Sequence, residues 1–297
     1  MREIYDLRLF DDYVKKVINT DEGKLAPFVP IRRLKWNSAD GRKVKFMSAN
    51  RIARDSGAAG ICPSWSVKRS YSESELSEAR LFKMIVGTMF EPAEEECDTQ
   101  YDEASSCFKC GSGARQTSPL FLRKSKIPKT KDISRTIAGE LVVSRRFADL
   151  IKDYCVTGVT LSPVLLGSSS LVASDDWFQL IVENVGFDVV QPTLSGNNPF
   201  DYDDEGAYKC KCCGLLGLNI LTEVFAGFLT TNETDFICSR QFVGVRRGLL
   251  RPVRVICVSK RLRELILSNG IQGVSFEVVY VEPIPKTTTD PNNQNFI

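Results

Sequence analysis

Histidine is absent from this 297-residue sequence. Without imidazole there is no Ser-His or Cys-His nucleophile pair and no histidine-held catalytic metal, so the commonest hydrolytic mechanisms are excluded. Long apolar runs are also missing. The most apolar stretch, CGLLGLNILTEVFAGFL, is interrupted by Asn219, Thr222 and Glu223 and falls short of the roughly 18 residues that a membrane helix needs. The opening MREIYDLRLFDDYVKK carries charge throughout and has no apolar core before a small-residue cleavage site. A cytoplasmic protein with no membrane contact is therefore expected. With 43% apolar and 26% charged residues, neither general disorder nor a fibrous repeat fits, and a folded chain of two or three modules is predicted.

The net charge of +2 conceals a block pattern. Residues 1–70 carry +7, 71–106 carry −8, 107–160 carry +7, 161–209 carry −7 and 210–297 carry +3. Blocks of this size can satisfy one another inside one folded molecule, which argues against a single face dedicated to phosphate.

Ten cysteines in a chain without an export signal point to reduced thiols and metal ligation rather than a disulfide framework. Two stretches sharpen this, CFKCG at 107–111 and CKCCG at 210–214. In a zinc knuckle, two thiolates three residues apart grip one ion from a tight turn, and the following glycine supplies the left-handed backbone that turns amides toward the sulfurs. Cys107, Cys110, Cys210 and Cys213 supply the four ligands of a tetrahedral structural zinc site (Zn2+). Cys212 is a spare thiol that could stand in for Cys213. A redox dithiol is a rival reading, although CFKCGSGAR runs into a glycine-rich loop rather than the helix start that lowers a redox thiol pKa. Inert buried thiols are another. Cys97, Cys155, Cys238 and Cys257 lack paired spacing and read as buried apolar positions.

The segments after the knuckles resemble each other. LVVSRRFADLIKDYCVTGVTLSPVL at 141–165 matches VICVSKRLRELILSNGIQGVSFEVVYV at 255–281 with an offset of 115, whereas the knuckles are offset by 103, so the second copy carries about a dozen extra residues between knuckle and helix. Each copy reads as strand, short helix and strand. Ser144 and Ser259 are N-caps, Phe147, Leu150, Ile151 and Tyr154 form one apolar helix face, and Leu262, Leu265 and Ile266 repeat it. Gly158 and Gly273 are read as ending the helical segments. Upstream, SESELSEARLF opens with a Ser72/Glu75 capping box, and FKMIVGTMF reads as a strand. WFQLIVENV is read as a helix or a strand. The stretch DYDDEG at 201–206 spaces carboxylates like part of a calcium loop, but Cys212 stands where the bidentate Glu belongs, so a solvated acidic turn is expected.

The expected fold is α+β, with two related units of zinc knuckle plus strand-helix-strand joined through a shared four-cysteine zinc site and an additional N-terminal α+β module. The boundaries are 1–100 for the N-terminal module, 101–209 for the first CxxCG repeat and linker, 210–285 for the second repeat, and 286–297 for a disordered tail.

Taken together, EPAEEECDTQYDEASSCFKCGSGARQTSPLFL, ELVVSRRFADLI with VTGVTLSPV, YKCKCCG, and VICVSKRLRELI with IQGVSFEVV resemble the bacterial double-CXXCG motif proteins over about residues 70–283. That group is similar in its strand-helix-strand tails to immunity proteins of polymorphic-toxin systems. The resemblance implies a zinc-stabilised intracellular protein, some of whose relatives neutralise a partner toxin. The expected function is thus a non-catalytic zinc-stabilised binding protein with a protein partner, such as a toxin. The alternative is a zinc-ribbon protein that binds nucleic acid through RKSKIPKTKDISR (123–135) and RRGLLRPVR (246–254), although neither run is interleaved with stacking aromatics.

Overall fold

In a computed structural model the protein is described over residues 1–15, 17–18, 22–37, 41–167, 172–228 and 234–281. The tail expected at 286–297 lies outside these residues. The fold is mixed α+β and mostly strand, with five α-helices among the described residues. None of those helices is long and apolar enough to cross a membrane.

The N-terminal part is an antiparallel sheet in the order Lys24–Leu25, Ile31–Asn37, Arg2–Phe10, Ser64–Ser70. Period-two alternation puts Tyr5, Leu7 and Leu9 on one face with Leu34 and Trp36 of the neighbouring strand. The helix Lys43–Asp55 covers that face with Phe46, Asn50 and Ala53. Phe200, from far along the chain, stacks on Phe46 at 4.9 Å and closes this core.

Two larger assemblies follow, with matching strand order. The first runs Met89–Phe90, Ile133–Thr136, Leu141–Ser144, Val172–Ile181, Thr160–Leu166, Phe121–Leu122. The second runs Val185–Val190, Phe236–Val243, Val253–Ser259, Leu81–Val86, Val274–Val281, Val224–Phe228 and closes into a barrel through its end strands. Directions agree position by position, and so do registers. Ile133 faces Val143 where Phe236 faces Val258, and Val143 faces Phe178 where Val258 faces Phe82.

The chain passes between the two assemblies to build them. Leu81–Val86 precedes every strand of the first assembly yet lies inside the second, hydrogen-bonded to Val253–Ser259 and Val274–Val281. The first assembly's own strands span Met89 to Ile181, and the other five strands of the barrel follow from Val185. The 81–86 strand thus departs from the N-terminal module of residues 1–100 in which its sequence position put it. Of the stretch WFQLIVENV, 177–181 is strand, because Phe178 and Leu180 on one side and Gln179 on the other are all buried, whereas a short amphipathic helix would leave one face in water; Val185 opens the next strand.

Both strand-helix-strand segments form as read. The helices are Arg145–Asp153, capped by Ser144, and Lys260–Ser268, capped by Ser259. Phe147, Leu150 and Ile151 are buried with Leu262 and Ile266 in one shared core. Tyr154, the residue that closes the helix, is exposed, and Cys155 is exposed in a left-handed conformation rather than buried. Cys238 and Cys257 are buried, while Cys97 is half-buried. In the upstream segment the capping box forms, but its helix spans only Glu73–Glu78 and Leu81 already belongs to the strand.

A reciprocal bracket holds the two segments together. Ser144 donates to Asp132 (2.9 Å), Arg146 pairs with the same carboxylate (3.1 Å), and that carboxylate accepts the Gln272 amide (2.8 Å). In mirror fashion Ser259 donates to Asp235 (2.8 Å), Arg261 pairs with it (2.8 Å), and it accepts the Thr157 amide (3.1 Å). Burial alone would raise the Asp235 pKa, but the Thr157 amide, Ser259 and Arg261 outweigh burial and hold it below its usual value. Gly158 and Gly273 sit in this bracket and not at the helix ends, which correct to Tyr154 and Asn269. A Cβ on Gly158 would stand 2.1 Å from the Phe236 carbonyl oxygen, and one on Gly273 would stand 2.2 Å from that of Ile133.

Substituting Gly158→Ala should therefore cost at least about 2 kcal/mol, from a left-handed backbone and a backbone clash together. Gly57→Ala, also at positive φ but with open space around it, should cost only about 1 kcal/mol. Urea unfolding of both variants checks this, and equal losses would contradict the close approach.

Candidate metal centre

The two CxxCG stretches fold into the same turn. In the first, the Cys107 carbonyl accepts from the amides of Cys110 (3.2 Å) and Gly111 (2.7 Å), while the Cys107 amide donates to the Ser112 carbonyl (2.8 Å). In the second, the Cys210 carbonyl accepts from the Gly214 amide (3.0 Å), and the Cys210 amide donates to the Leu215 carbonyl (3.0 Å). Gly111 and Gly214 take φ of 68° and 73°, the left-handed conformation that the sequence demanded of them.

All four predicted ligands come together. The sulfurs of Cys107, Cys110, Cys210 and Cys213 lie within 4.8 Å of one another and can hold a metal ion. Cys107 Sγ stands 3.8 Å from Cys210 Sγ, and Cys110 Sγ stands 3.2 Å from Cys213 Sγ, so each contact joins thiols 103 residues apart. Cys210 is buried, the other three are half-buried, and the spare thiol Cys212 is exposed outside the cluster.

Backbone amides prepare two of the thiols as anions. The amides of Lys109 and Cys110 lower the Cys107 pKa. Burial would raise Cys210, but the amides of Cys213 and Cys212 outweigh it and bring the pKa down to about 6. Cys213 is pushed up to about 12 by burial and by its contact with Cys110, as expected when closely spaced sulfurs cannot all ionise without a cation.

The supports of the cluster were less visible in the sequence. Ser112 Oγ lies 3.2 Å from Cys110 Sγ. The extra residues of the second hairpin reach across to the first knuckle, and Arg246 packs so closely on Gly111 that a Cβ there would meet its Cγ at 2.8 Å. Arg246 also pairs with Glu103 at 3.1 Å. Arg251 reaches Glu95 and Glu103, each at 2.7 Å, with its guanidinium 3.9 Å from the centre of the Tyr101 ring. The charge blocks hinted at this pairing but could not name the partners.

Other candidate chemistry does not assemble. Asp201 and Asp203 are buried rather than solvated. Asp201 pairs with Arg54 at 3.1 Å, and Asp203 accepts the amides of Ala207 (2.7 Å) and Tyr208 (3.1 Å). Their oxygens are thus committed to Arg54 and to the turn itself, and among the described residues the thiols form the one grouping suited to a metal. Of the basic run at 246–254, Arg246 and Arg251 are committed to carboxylates, and Arg254 donates to the carbonyls of Ser239 and Arg240. No known family model matches this chain, and no curated protein matches it.

Cys213→Ser should lower bound metal to a small fraction of one equivalent, whereas Cys212→Ser should retain it in full. Elemental analysis of both variants, purified under reducing conditions, checks the assignment.

Proposed function

We propose that this chain is a non-catalytic, cytoplasmic binding protein stabilised by one structural zinc ion, and that its partner is a protein such as a toxin it neutralises. The observation that carries the metal part is the convergence of four thiols from two knuckles in a chain without histidine. Soft thiolates favour zinc over the oxygen-seeking divalent ions. Zinc-sulfur bonds of about 2.3 Å in a tetrahedron separate the sulfurs by roughly 3.8 Å, the spacing of Cys107 and Cys210, and Cys110 and Cys213 need to part only slightly. Bound zinc would supply charge neutralisation and crosslinking, and four sulfurs leave no open position for a reacting water.

The two assemblies are best understood as copies of one unit with their first strands exchanged. LFKMIV at 81–86 and WFQLIV at 177–182 occupy equivalent places at an offset of 96, which extends the likeness upstream of the knuckles. The offset of 103 persists from knuckle to Ile133 and Phe236 and becomes 115 by Ser144 and Ser259, so the extra residues fall in the second hairpin, where they meet the first knuckle. This arrangement supports a rigid scaffold. The protein-partner reading rests on the resemblance to immunity-like proteins, and it is favoured over nucleic acid by the pairing of Arg246 and Arg251 with carboxylates inside the fold.

Cys107→Ser and Cys210→Ser should each abolish zinc binding and lower the thermal midpoint by roughly 5 °C, corresponding to about 3 kcal/mol at this chain length. Unchanged zinc content and midpoint would refute the site. Affinity capture from native cells should recover one stoichiometric protein, and recovery of chaperones alone, or of nucleic acid with steep salt dependence, would overturn the partner reading. Zinc affinity should also fall with pH. Below about pH 6 the ion must displace one more proton, that of Cys210, so the slope of log affinity against pH should steepen there, measurable by chelator competition.

A further inference from the structure

A cleft of about 360 Å³ opens where the three sheets meet. Trp65 of the N-terminal sheet, Arg135 and Leu141 of the first assembly, and Lys83, Val255 and Arg254 of the barrel all line it. Its volume is at the lower end of the range for small-molecule pockets, about 300–1,000 Å³. The walls are largely apolar, three cations line it, and no carboxylate does among the described residues.

Two of those cations are committed. Lys83 pairs with Glu277 at 3.1 Å, and Arg254 donates to two carbonyls while lying 4.4 Å from the centre of the Phe242 ring. Arg135 differs. It has no ion pair among the described residues, and its Nε is buried without a hydrogen bond. Burial with no carboxylate beside it lowers its pKa, the sign of a cation that the fold leaves uncompensated. The strand itself does not call for an arginine. Arg135 faces Leu141 as Cys238 faces Ile256 in the second assembly, and Cys238 is a buried thiol. An uncompensated, partly buried charge costs stability, and such costs are concentrated at ligand sites.

We propose that this cleft binds a small amphipathic monocarboxylate, its anionic group on the Arg135 guanidinium and its aliphatic or aromatic body against the apolar walls. A carboxylate matches the planar fork of arginine in two parallel charge-assisted bonds. The single uncommitted cation and the apolar lining favour one negative charge over a polyanion. The volume equals that of about a dozen waters, enough for about ten non-hydrogen atoms.

Octanoate is a probe of that size, and Trp65 in the cleft wall is the reporter. Titration of the zinc-loaded full-length protein with octanoate, followed by tryptophan fluorescence and calorimetry, should show saturable binding at one site. Octylammonium and inorganic phosphate should not bind there. Arg135→Leu should weaken octanoate at least about tenfold, while zinc content stays the same and the thermal midpoint holds or rises. Arg135→Gln, which removes the charge but keeps hydrogen-bonding capacity, gives the same test should the leucine variant fold poorly. Equal octanoate affinity in the folded variant, equal binding of octylammonium, phosphate binding as tight as octanoate, or no saturable binding to wild type would each overturn the proposal. Zinc content is read in the same samples, so failure of the cleft and failure of the metal site are distinguished.

Discussion

The barrel contains a central strand, Leu81–Val86, drawn from upstream of the first assembly's stretch of chain, and the rest of the structure depends on that crossing. Leu81–Val86 is hydrogen-bonded on both sides within the barrel, and Val172–Ile181 on both sides within the first sheet. The barrel cannot complete its ladder without the 81–86 strand, because a missing central strand would leave two rows of backbone groups unpaired. With that crossing the two helices share one core and the reciprocal Asp132 and Asp235 brackets lie beside each other. The crossing also fixes the ends of the long loops from which the knuckles project. Thiols 103 residues apart thus meet with much of the entropy of closing that loop already lost to strand pairing.

The cysteine cluster and its surroundings divide the work of holding the knuckles. Turn hydrogen bonds within each knuckle orient the first sulfur and its amides, which is a local matter. Contacts with the longer second hairpin, through Arg246 on Gly111 and Arg251 on Glu95, Glu103 and Tyr101, fix the first knuckle against the second half, which is not. The guanidinium of Arg251 lies nearly out of solvent between two carboxylates and a ring, where an ion pair is screened less than at the surface. A similar join ties the N-terminal sheet to the barrel. Arg69 is almost fully buried and pairs with Glu3 and Glu277, each at 2.8 Å, and the barrel's Lys83 shares the Glu277 carboxylate. Within this fold the alternating charge blocks act largely as internal pairing, with few arginines of the 246–254 run left for an external phosphate surface.

Features governed by short-range chemistry could be seen in the sequence. The capping box at Ser72 and Glu75, the N-caps at Ser144 and Ser259, the apolar faces around Phe147 and Leu262, and the left-handed glycines after each knuckle all depend on neighbours within a few residues. The likeness between 141–165 and 255–281 was also visible, since it needs only a comparison of residues. The likeness between 81–86 and 177–182 escaped, because six apolar residues in a row carry no periodicity that tells a buried strand from a buried helix. Gly158 and Gly273 look like helix stops in the sequence for a related reason. A glycine near a helix end has the same local appearance whether it caps that helix or admits a remote carbonyl.

By itself the sequence determined the candidate thiols, the knuckle turns, the helix starts and the exclusion of histidine chemistry, because residue identity and spacing of a few positions decide each of these. Only the tertiary structure decided that the two knuckles share one site, which strand belongs to which sheet, which carboxylate answers which arginine, and that Arg135 is left without one among the described residues. Those outcomes depend on pairings across a hundred residues or more, where many alternatives have similar local energies and the choice falls to the one packing that satisfies every buried strand edge at once.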